Sequence, residues 1–411
     1  MYDVVVIGGG PAGMIAAGRA AELGAKVILL EKNAKLGKKL LITGGGRCNI
    51  TNAEFDIRKM VAKYGPKGKA LFGSFSRFGV AESLEFFNSK NLETKIEAEK
   101  RAFPKSNKAQ DVWQVLVHYM RKGNVKIVFD SPVLGLEHKA NTITGVKTKS
   151  GVVTGKNYIL ATGGKSRPET GSTGEGFEWM KNIGHSVSES DPALVPVTIK
   201  EQWLKDLSGL SFTNAKLSII QDGKKVESRI GKLLFTHFGI SGPLVLNMSK
   251  NIRELQLYAP VHLELDLFPE LDVVALDKKV LEVLTAAFNK KIRNNLGELV
   301  PPKMIATILE LTGIDPEKTC NAITKTERTK LVQQLKSFIL TVTGFLGVEK
   351  AIVTSGGVSL KEIDFKTMQS KLYSNLFLAG DILDFDRPSG GFSLQICWTT
   401  GYLAGENSSK A

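Results

Sequence analysis

Apolar residues along the first third of the chain alternate between strand-like and helix-like spacing. Val4–Ile7 is an unbroken apolar run that ends at Gly8. Pro11–Leu23 is alanine-rich and helical in pattern with Gly24 as a stop, and Val27–Leu30 is a second apolar run. This is the βαβ pattern of a parallel sheet. A loop rich in Gly and Lys is expected from Lys32 to about Asn52. Helices are expected near Ala70–Asn88 and Ala109–Lys122, and strands at Val125–Phe129, Thr142–Lys147 and Tyr158–Ala161, the last running into Thr162-Gly163-Gly164. The character changes near Ser190, where Asp191–Pro196 holds two prolines. Strand-like stretches follow at Leu217–Gln221 and Val261–Leu267, then a lysine-rich helical stretch over about Leu271–Leu340. The sheet pattern returns at Ala351–Thr354 and Leu376–Ala379. The expectation is a discontinuous α/β domain, residues 1–190 and 345–411, interrupted by an inserted substrate-side region, 191–344. The insert's β part runs to about 270 and its helical part from about 271.

With 411 residues the chain suits two or three domains. No apolar run reaches bilayer length, and the N-terminus enters a strand without a signal-peptide pattern, so no membrane and a cytoplasmic location are expected. Cys48, Cys320 and Cys397 are scattered, with no CxxC pair. That argues against a disulfide framework, a zinc site or a dithiol centre, and no metal is expected. The formal charge of +14 changes the picture of partners. It suits an anionic cofactor and a polyanionic substrate such as RNA, or else a solvated lysine-rich surface.

The first chemical motif is Gly8-Gly9-Gly10-Pro11-Ala12-Gly13, between a strand and a helix, with Glu31 ending the next strand. Gly8 permits the tight turn, Gly10 opens the backbone to a pyrophosphate, and Gly13 lets helix and strand pack closely. The helix start, at Pro11 and Ala12, offers amide donors, and Glu31 can accept both hydroxyls of an adenosine ribose. An acid there disfavours a 2′-phosphate. Lys32 and the strand end Ala161-Thr162-Gly163 are further candidate contacts. The fold expected is a Rossmann-like dinucleotide-binding domain. Near the C-terminus an apolar strand ends in Gly380-Asp381, as where an acid holds the ribityl chain of FAD in two-dinucleotide-fold flavoproteins. Gly390-Gly391 then lead into a helix from Phe392, whose amides would face a flavin. In Gly44-Gly45-Gly46-Arg47-Cys48-Asn49 the glycines allow close approach to a ligand. Arg47 could pair with phosphate, and Cys48 and Asn49 could face a flavin ring. Cys48 reads equally as a nucleophile or acid and as a buried structural thiol.

His237 could protonate a substrate or brace the insert. Ser241 and Gly242 could bind an anion at a helix start. Two basic stretches, Arg58–Lys69 and Lys95–Lys108, interleave cations with aromatics as single-stranded RNA binders do, or are solvated faces. No second GxGxxG lies between a strand and a helix, so NAD(P)H is expected only as a transient electron donor.

The segment Gly37–Asn52, with its GGGRCNITN, resembles that of the BaiN/RdsA-type flavoproteins, also called the aminoacetone oxidase family. Arg101–Pro104, Ala161–Ser166, Gly171–Gly176, Leu234–Pro243, Thr354–Val358 and Gly380–Gly401 extend the resemblance over nearly the whole chain. It implies bound FAD and a discontinuous FAD domain. It also implies one of several activities: oxidation of small amino ketones, reduction of steroid C=C bonds, or reduction of a ribosomal RNA uridine. With the charge of +14, the preferred expectation is an NAD(P)H-driven reductase of a conjugated C=C bond acting on ribosomal RNA uridine. A small-molecule amine or amino-ketone oxidase and a non-enzymatic flavin-bearing RNA-binding factor are the alternatives. The sequence departs from the family at Arg387, where a glycine is common, and at Phe392-Ser393, where Tyr-Asn is usual. These changes bear on substrate more than on FAD. Oligomeric state is not legible.

Overall fold

The apolar run Tyr2–Ile7 (β1) lies inside a seven-stranded sheet. Its order is Ile363–Asp364, Gln369–Ser370, Leu376–Leu378, Gly155–Leu160, β1, Val27–Leu30 (β2) and Lys126–Val128, and the last five are parallel. Val4, Val5 and Val6 are fully buried, as befits a parallel strand covered on both faces. The computed structural model describes residues 1–346 and 353–410. The chain divides into two units, Met1–Ala193 with Val348–Ala411, and Leu194–Gly347.

In the first unit, helix Pro11–Glu22 (α1) starts at an extended Gly10 with Pro11 in its first turn. The last helix, Phe392–Ser408 (α2), packs along it and is buried on nearly every side. The contact is backbone against backbone. A Cβ on Gly401 would lie 2.5 Å from the Ala12 carbonyl oxygen, and one on Gly405 would lie 2.3 Å from that of Ala16. The four-residue spacing puts both glycines on one face of α2. Two three-stranded sheets, Thr51–Asn52, Arg101–Pro104 and Thr94–Glu97 in one and the meander Val133–Lys139, Thr142–Thr148 and Gly151–Val153 in the other, and a two-stranded sheet of Val187–Ala193 and Val353–Val358 also belong to the unit.

The second unit is a closed six-stranded antiparallel barrel. In chain order its strands are Val197–Ile199, Ser211–Gln221, Lys224–Thr236, Gly239–Ser241, His262–Asp266 and Phe338–Phe345. Val197 pairs with Phe345 to close it. Helices Val273–Ala286, Pro302–Thr312 and Lys325–Lys336 form one excursion between the last two strands. Their buried residues join the barrel's own hydrophobic core.

Three sequence expectations are corrected. The helical stretch over Leu271–Leu340, and with it a helical part reaching 344, ends at Lys336, because Phe338–Phe345 returns to the barrel. Phe338, Leu340 and Val342 are buried while Ile339 is exposed, the period-two signature of a strand. The helix expected over Ala70–Asn88 breaks at Gly79. A Cβ there would meet the Phe75 carbonyl oxygen at 2.4 Å, and the Gly79 N–H donates to Glu82 Oε2 at 2.8 Å to start a new helix. Of the strand expected at Ala351–Thr354, Ala351 lies outside the described residues. Val353–Val358 pairs antiparallel with Val187–Ala193 rather than joining the main sheet.

Replacing Gly401 with Val forces α2 away from α1. Overpacking of this kind costs about 1–3 kcal/mol, so urea unfolding of Gly401→Val should show a clearly lowered midpoint. An unchanged midpoint would mean the helices are not in contact at this glycine.

Candidate functional site

The parallel strands of the first unit end together, and a cleft with about 890 Å³ of atom-free space opens over those ends. Open α/β sheets bind ligands outside the carboxyl ends of their strands. Gly8 turns the chain at φ +102°, and a Cβ there would come within 2.6 Å of the Ala161 carbonyl oxygen. A Cβ on Gly13 would sit 1.9 Å from the Gly8 oxygen, so helix and turn can close only on glycine. A Cβ on Gly10 would meet nothing within 4 Å, so its backbone faces open space in the cleft wall. Pro11 and Ala12 follow it along the same wall.

Glu31 is buried on that wall at 6% exposure. Its Oε2 accepts from the Gly9 N–H at 2.7 Å. Its Oε1 accepts from the Asn33 N–H at 2.8 Å and from Asn33 Nδ2 at 2.6 Å. The carboxylate is thereby fixed in orientation, and its oxygens keep acceptor capacity for hydroxyl donors. Asn33 in turn accepts from Lys38 Nζ at 2.9 Å. This positioning role was not read from the sequence, although an Asn two residues after the acid is a legible signal. Lys32 is held by Thr173 Oγ1 at 2.7 Å and Glu175 Oε2 at 2.8 Å.

Opposite, Ala161, Thr162 and Gly163 follow the strand Gly155–Leu160 into the cleft. Thr162 Oγ1 is buried without a hydrogen-bond partner in the protein. So is Asp381 Oδ1. Asp381 lies just beyond the strand Leu376–Leu378, after Gly380 at φ +78°. Lys39 Nζ stands 3.7 Å from one of its oxygens and Arg387 Nε 3.6 Å from the other. Buried polar atoms are normally satisfied, so these two mark where a polar ligand completes the wall. An open glycine backbone, a buried and a partly buried carboxylate, and orphaned oxygens along one cleft fit a dinucleotide.

The remaining candidates are not among the residues that line this cleft, although Cys397 of α2 is. Gly44, Gly45 and Gly46 are exposed, all with φ between +57° and +85°, and the segment 44–49 is not part of this cleft's wall. Arg47 does not stand free for a phosphate. It pairs with Glu97 at 2.5 Å, donates to Asn107 and lies 4.0 Å over the Phe103 ring. Asn49 Oδ1 is buried without a protein partner. Cys48 is completely buried, and burial pushes its thiol up to about 12, the setting of a packing thiol. The end of the same motif braces α2. Thr51 Oγ1 donates to Gln395 at 2.5 Å, Trp398 Nε1 donates to the Ile50 carbonyl at 2.8 Å, and a Cβ on Gly391 would come within 2.4 Å of the Thr51 backbone. Gly390 and Gly391 carry φ of +114° and +99°, and Phe392 opens the helix as a buried residue. In the second unit, His237 is exposed in the turn between Lys224–Thr236 and Gly239–Ser241, its ring against Phe238 at 4.9 Å. Ser241 and Gly242 directly precede helix Pro243–Gln256. Among the described residues no group of side chains could hold a metal ion, and no helix is long and apolar enough to cross a membrane.

Residues 2–407 match the HI0933-like protein Rossmann domain. The chain belongs to this family. A 3-dehydro-bile acid delta(4,6)-reductase of Clostridium scindens is 31% identical to it over 98% of both chains. The ribosomal RNA dihydrouridine synthases of Escherichia coli and Haemophilus influenzae are 26% and 29% identical over at least 96% of each chain. In fold the chain is similar to a flavocytochrome c3 fumarate reductase, with a TM-score of 0.54 at 17% identity over 99% of this chain and 78% of that one. It is likewise similar to the 3-ketosteroid-delta4-(5alpha)-dehydrogenase of Rhodococcus jostii, with a TM-score of 0.53 at 16% identity over 100% and 97%. As a member of the HI0933-like family the protein is an FAD-dependent oxidoreductase with a Rossmann-like FAD-binding domain.

All three thiols are buried. A thiol reagent such as Ellman's should therefore leave the folded protein unlabelled at mildly alkaline pH and label three thiols after denaturation. Fast labelling of one thiol, lost in Cys48→Ser, would restore a reactive role to Cys48.

Proposed function

We propose that the protein is an NAD(P)H-driven reductase of a carbon–carbon double bond conjugated to a carbonyl, and that its substrate is a uridine of ribosomal RNA. When bound, the flavin supplies the hydride chemistry, taking two electrons from NAD(P)H and passing them to the double bond, which also takes up a proton. In this reading Gly8, Gly10, Pro11, Ala12 and Gly13 receive the pyrophosphate, Glu31 and Lys32 the adenosine ribose, and Asp381 the ribityl hydroxyls. Ala161, Thr162 and Gly163 complete the wall, and Gly390, Gly391 and Phe392 present the α2 N-terminus to the isoalloxazine edge.

The observation that carries the choice of reaction is Arg387. Its side chain is fully buried beside Asp381, and Nη2 donates to the Leu383 carbonyl at 2.5 Å. A fixed guanidinium in a site shielded from water stabilises negative charge that develops nearby. Hydride addition to an enone or a uracil places such charge on the carbonyl oxygen. The relatives' names are compatible, since a delta(4,6)-reductase and a dihydrouridine synthase both saturate a conjugated double bond. RNA is favoured by charge. The FAD-binding unit carries 35 Lys and Arg against 25 Asp and Glu, while the barrel unit carries 20 against 16.

The test is anaerobic reduction of the purified yellow protein with NADH, NADPH or aminoacetone, followed by admission of air or of ribosomal RNA. Bleaching by a nicotinamide donor, slow recovery in air, rapid recovery with RNA and dihydrouridine in the product are expected. Bleaching only by the amino ketone, with peroxide and fast recovery in air, would establish an oxidase instead. Glu31→Ala should lower FAD retention about tenfold to a hundredfold, as loss of a charge-assisted hydrogen bond of about 1.5–3 kcal/mol implies. Retention equal to wild type would remove Glu31 from the site.

A further inference from the structure

Residues 57–81 contain six cations and no acid. Two of the cations are engaged: Lys67 pairs with Asp384 at 2.6 Å and Arg77 with Glu406 at 2.8 Å. Arg58, Lys59, Lys63 and Lys69 are exposed, and among the described residues none of them has an ion-pair partner. The second basic stretch behaves differently. Lys95 pairs with Glu97, Lys100 with Glu54, Arg101 with Glu99 and Lys105 with Glu93, leaving only Lys108 without an ion pair among the described residues. The second stretch thus carries two acids of its own, Glu97 and Glu99, and closes four ion pairs, whereas in the first only Asp56 and Glu54 act on Arg58 and Lys59 without closing an ion pair to them among the described residues.

Arg58, Lys59, Lys63 and Lys69 are held together by packing. In helix Ile57–Ala62, capped by Asp56, Met60 and Val61 point into the core and leave Arg58 and Lys59 outward, with Lys63 four residues after Lys59. The chain then doubles back. A Cβ on Gly68 would sit 1.9 Å from the Val61 carbonyl oxygen, which keeps Lys69 close to the helix. Exposed Phe72, three residues on, adds an aromatic face. Four like charges within twelve residues repel one another, and a polyanion relieves that repulsion. The segment is also anchored to the candidate site. Tyr64 Oη donates to the Phe392 carbonyl at 2.9 Å, and Lys67 reaches Asp384, on the same stretch as Asp381 and Arg387.

We propose that Arg58, Lys59, Lys63 and Lys69, with Phe72, dock the sugar–phosphate backbone of single-stranded RNA beside the uridine to be reduced. This rests on the function proposed above. Cations with an exposed aromatic ring suit a phosphodiester chain with a splayed base. A membrane surface suits them poorly, because the apolar side chains of this short helix are spent in the core and leave no face to enter lipid.

The test uses the FAD-loaded full-length protein and a fluorescent uridine-containing single-stranded oligoribonucleotide, with affinity measured between about 50 and 200 mM salt. The quadruple variant Arg58→Gln/Lys59→Gln/Lys63→Gln/Lys69→Gln is compared with Lys95→Gln/Lys100→Gln/Arg101→Gln/Lys105→Gln, which loses the same charge from the compensated stretch. For four phosphate contacts to a single strand, the slope of log affinity against log salt should fall by about 3 in the first variant. Its affinity should drop at least about tenfold, with the flavin spectrum unchanged, while the control keeps the wild-type slope. Equal slopes in the first variant and wild type would overturn the surface. So would wild-type binding to phosphatidylserine vesicles that exceeds RNA binding and is lost in the first variant. Dihydrouridine formation by wild type separates the two proposals. If the slope shifts but no dihydrouridine forms, the docking surface stands and the proposed substrate falls.

Discussion

The contact on which the rest of the structure depends is the grip on helix α1. At its start the Gly8 carbonyl approaches Gly13 so closely that no side chain fits between them. Along its length the carbonyls of Ala12 and Ala16 lie against Gly401 and Gly405 of α2. These are backbone contacts, and they hold the first helical turn at a fixed height above the strand ends. The cleft exists because that height leaves Gly10 facing open space while Gly9, one residue earlier, is sealed by Leu36 and Glu31. Close packing of this kind transmits position rather than flexibility, so the residues nearest the two ends of the chain jointly define one wall.

Charge on that wall is arranged rather than abundant. Glu31 is fixed by three donors from Gly9 and Asn33, and Asp381 stands between Lys39 and Arg387 at distances too long for hydrogen bonds. The first carboxylate is oriented, and the second keeps one oxygen, Oδ1, buried without a hydrogen-bond partner in the protein. A partly buried acid flanked by two cations without direct hydrogen bonds to them has acceptor capacity in reserve for hydroxyl groups. The neighbouring stretch extends this logic outward. Lys67, Asp384 and Ser188 form a chain of contacts, at 2.6 and 2.7 Å, that ties the Leu383–Arg387 segment to the surface cations.

Much of this was legible. The GxGxxG turn, the acid ending β2 and the Gly-Asp after a late apolar strand all meet in one cleft, because each motif sits at the carboxyl end of a parallel strand and such ends must converge. The third motif was harder. Its three glycines signalled an unusual backbone, and they do adopt positive φ. Whether that backbone meets a ligand or solvent depends on partners far away in sequence. Arg47 illustrates the difficulty, since Glu97 and Asn107 are fifty and sixty residues distant. The long helical reading past Lys336 erred for a related reason. A lysine-rich helix runs directly into a barrel strand with no Gly or Pro between them, and only the alternation within Phe338–Val342 marks the change.

By itself the sequence determined the class of fold, the cofactor chemistry and the identity of the cleft's glycines and acids, because these depend on local geometry and on residue type at fixed spacing. It also determined that the chain carries an excess of positive charge. Tertiary structure alone decided which of those charges are free. Lys95–Lys105 already holds Glu97 and Glu99 among its cations while Arg58–Lys69 holds no acid, but that Lys100 meets Glu54 and Lys105 meets Glu93, and that Arg58, Lys59, Lys63 and Lys69 close no ion pair among the described residues, was decided by the fold. Ion pairs between residues far apart in the chain form only where the fold brings them together, and no spacing along the chain encodes which of those pairs will meet.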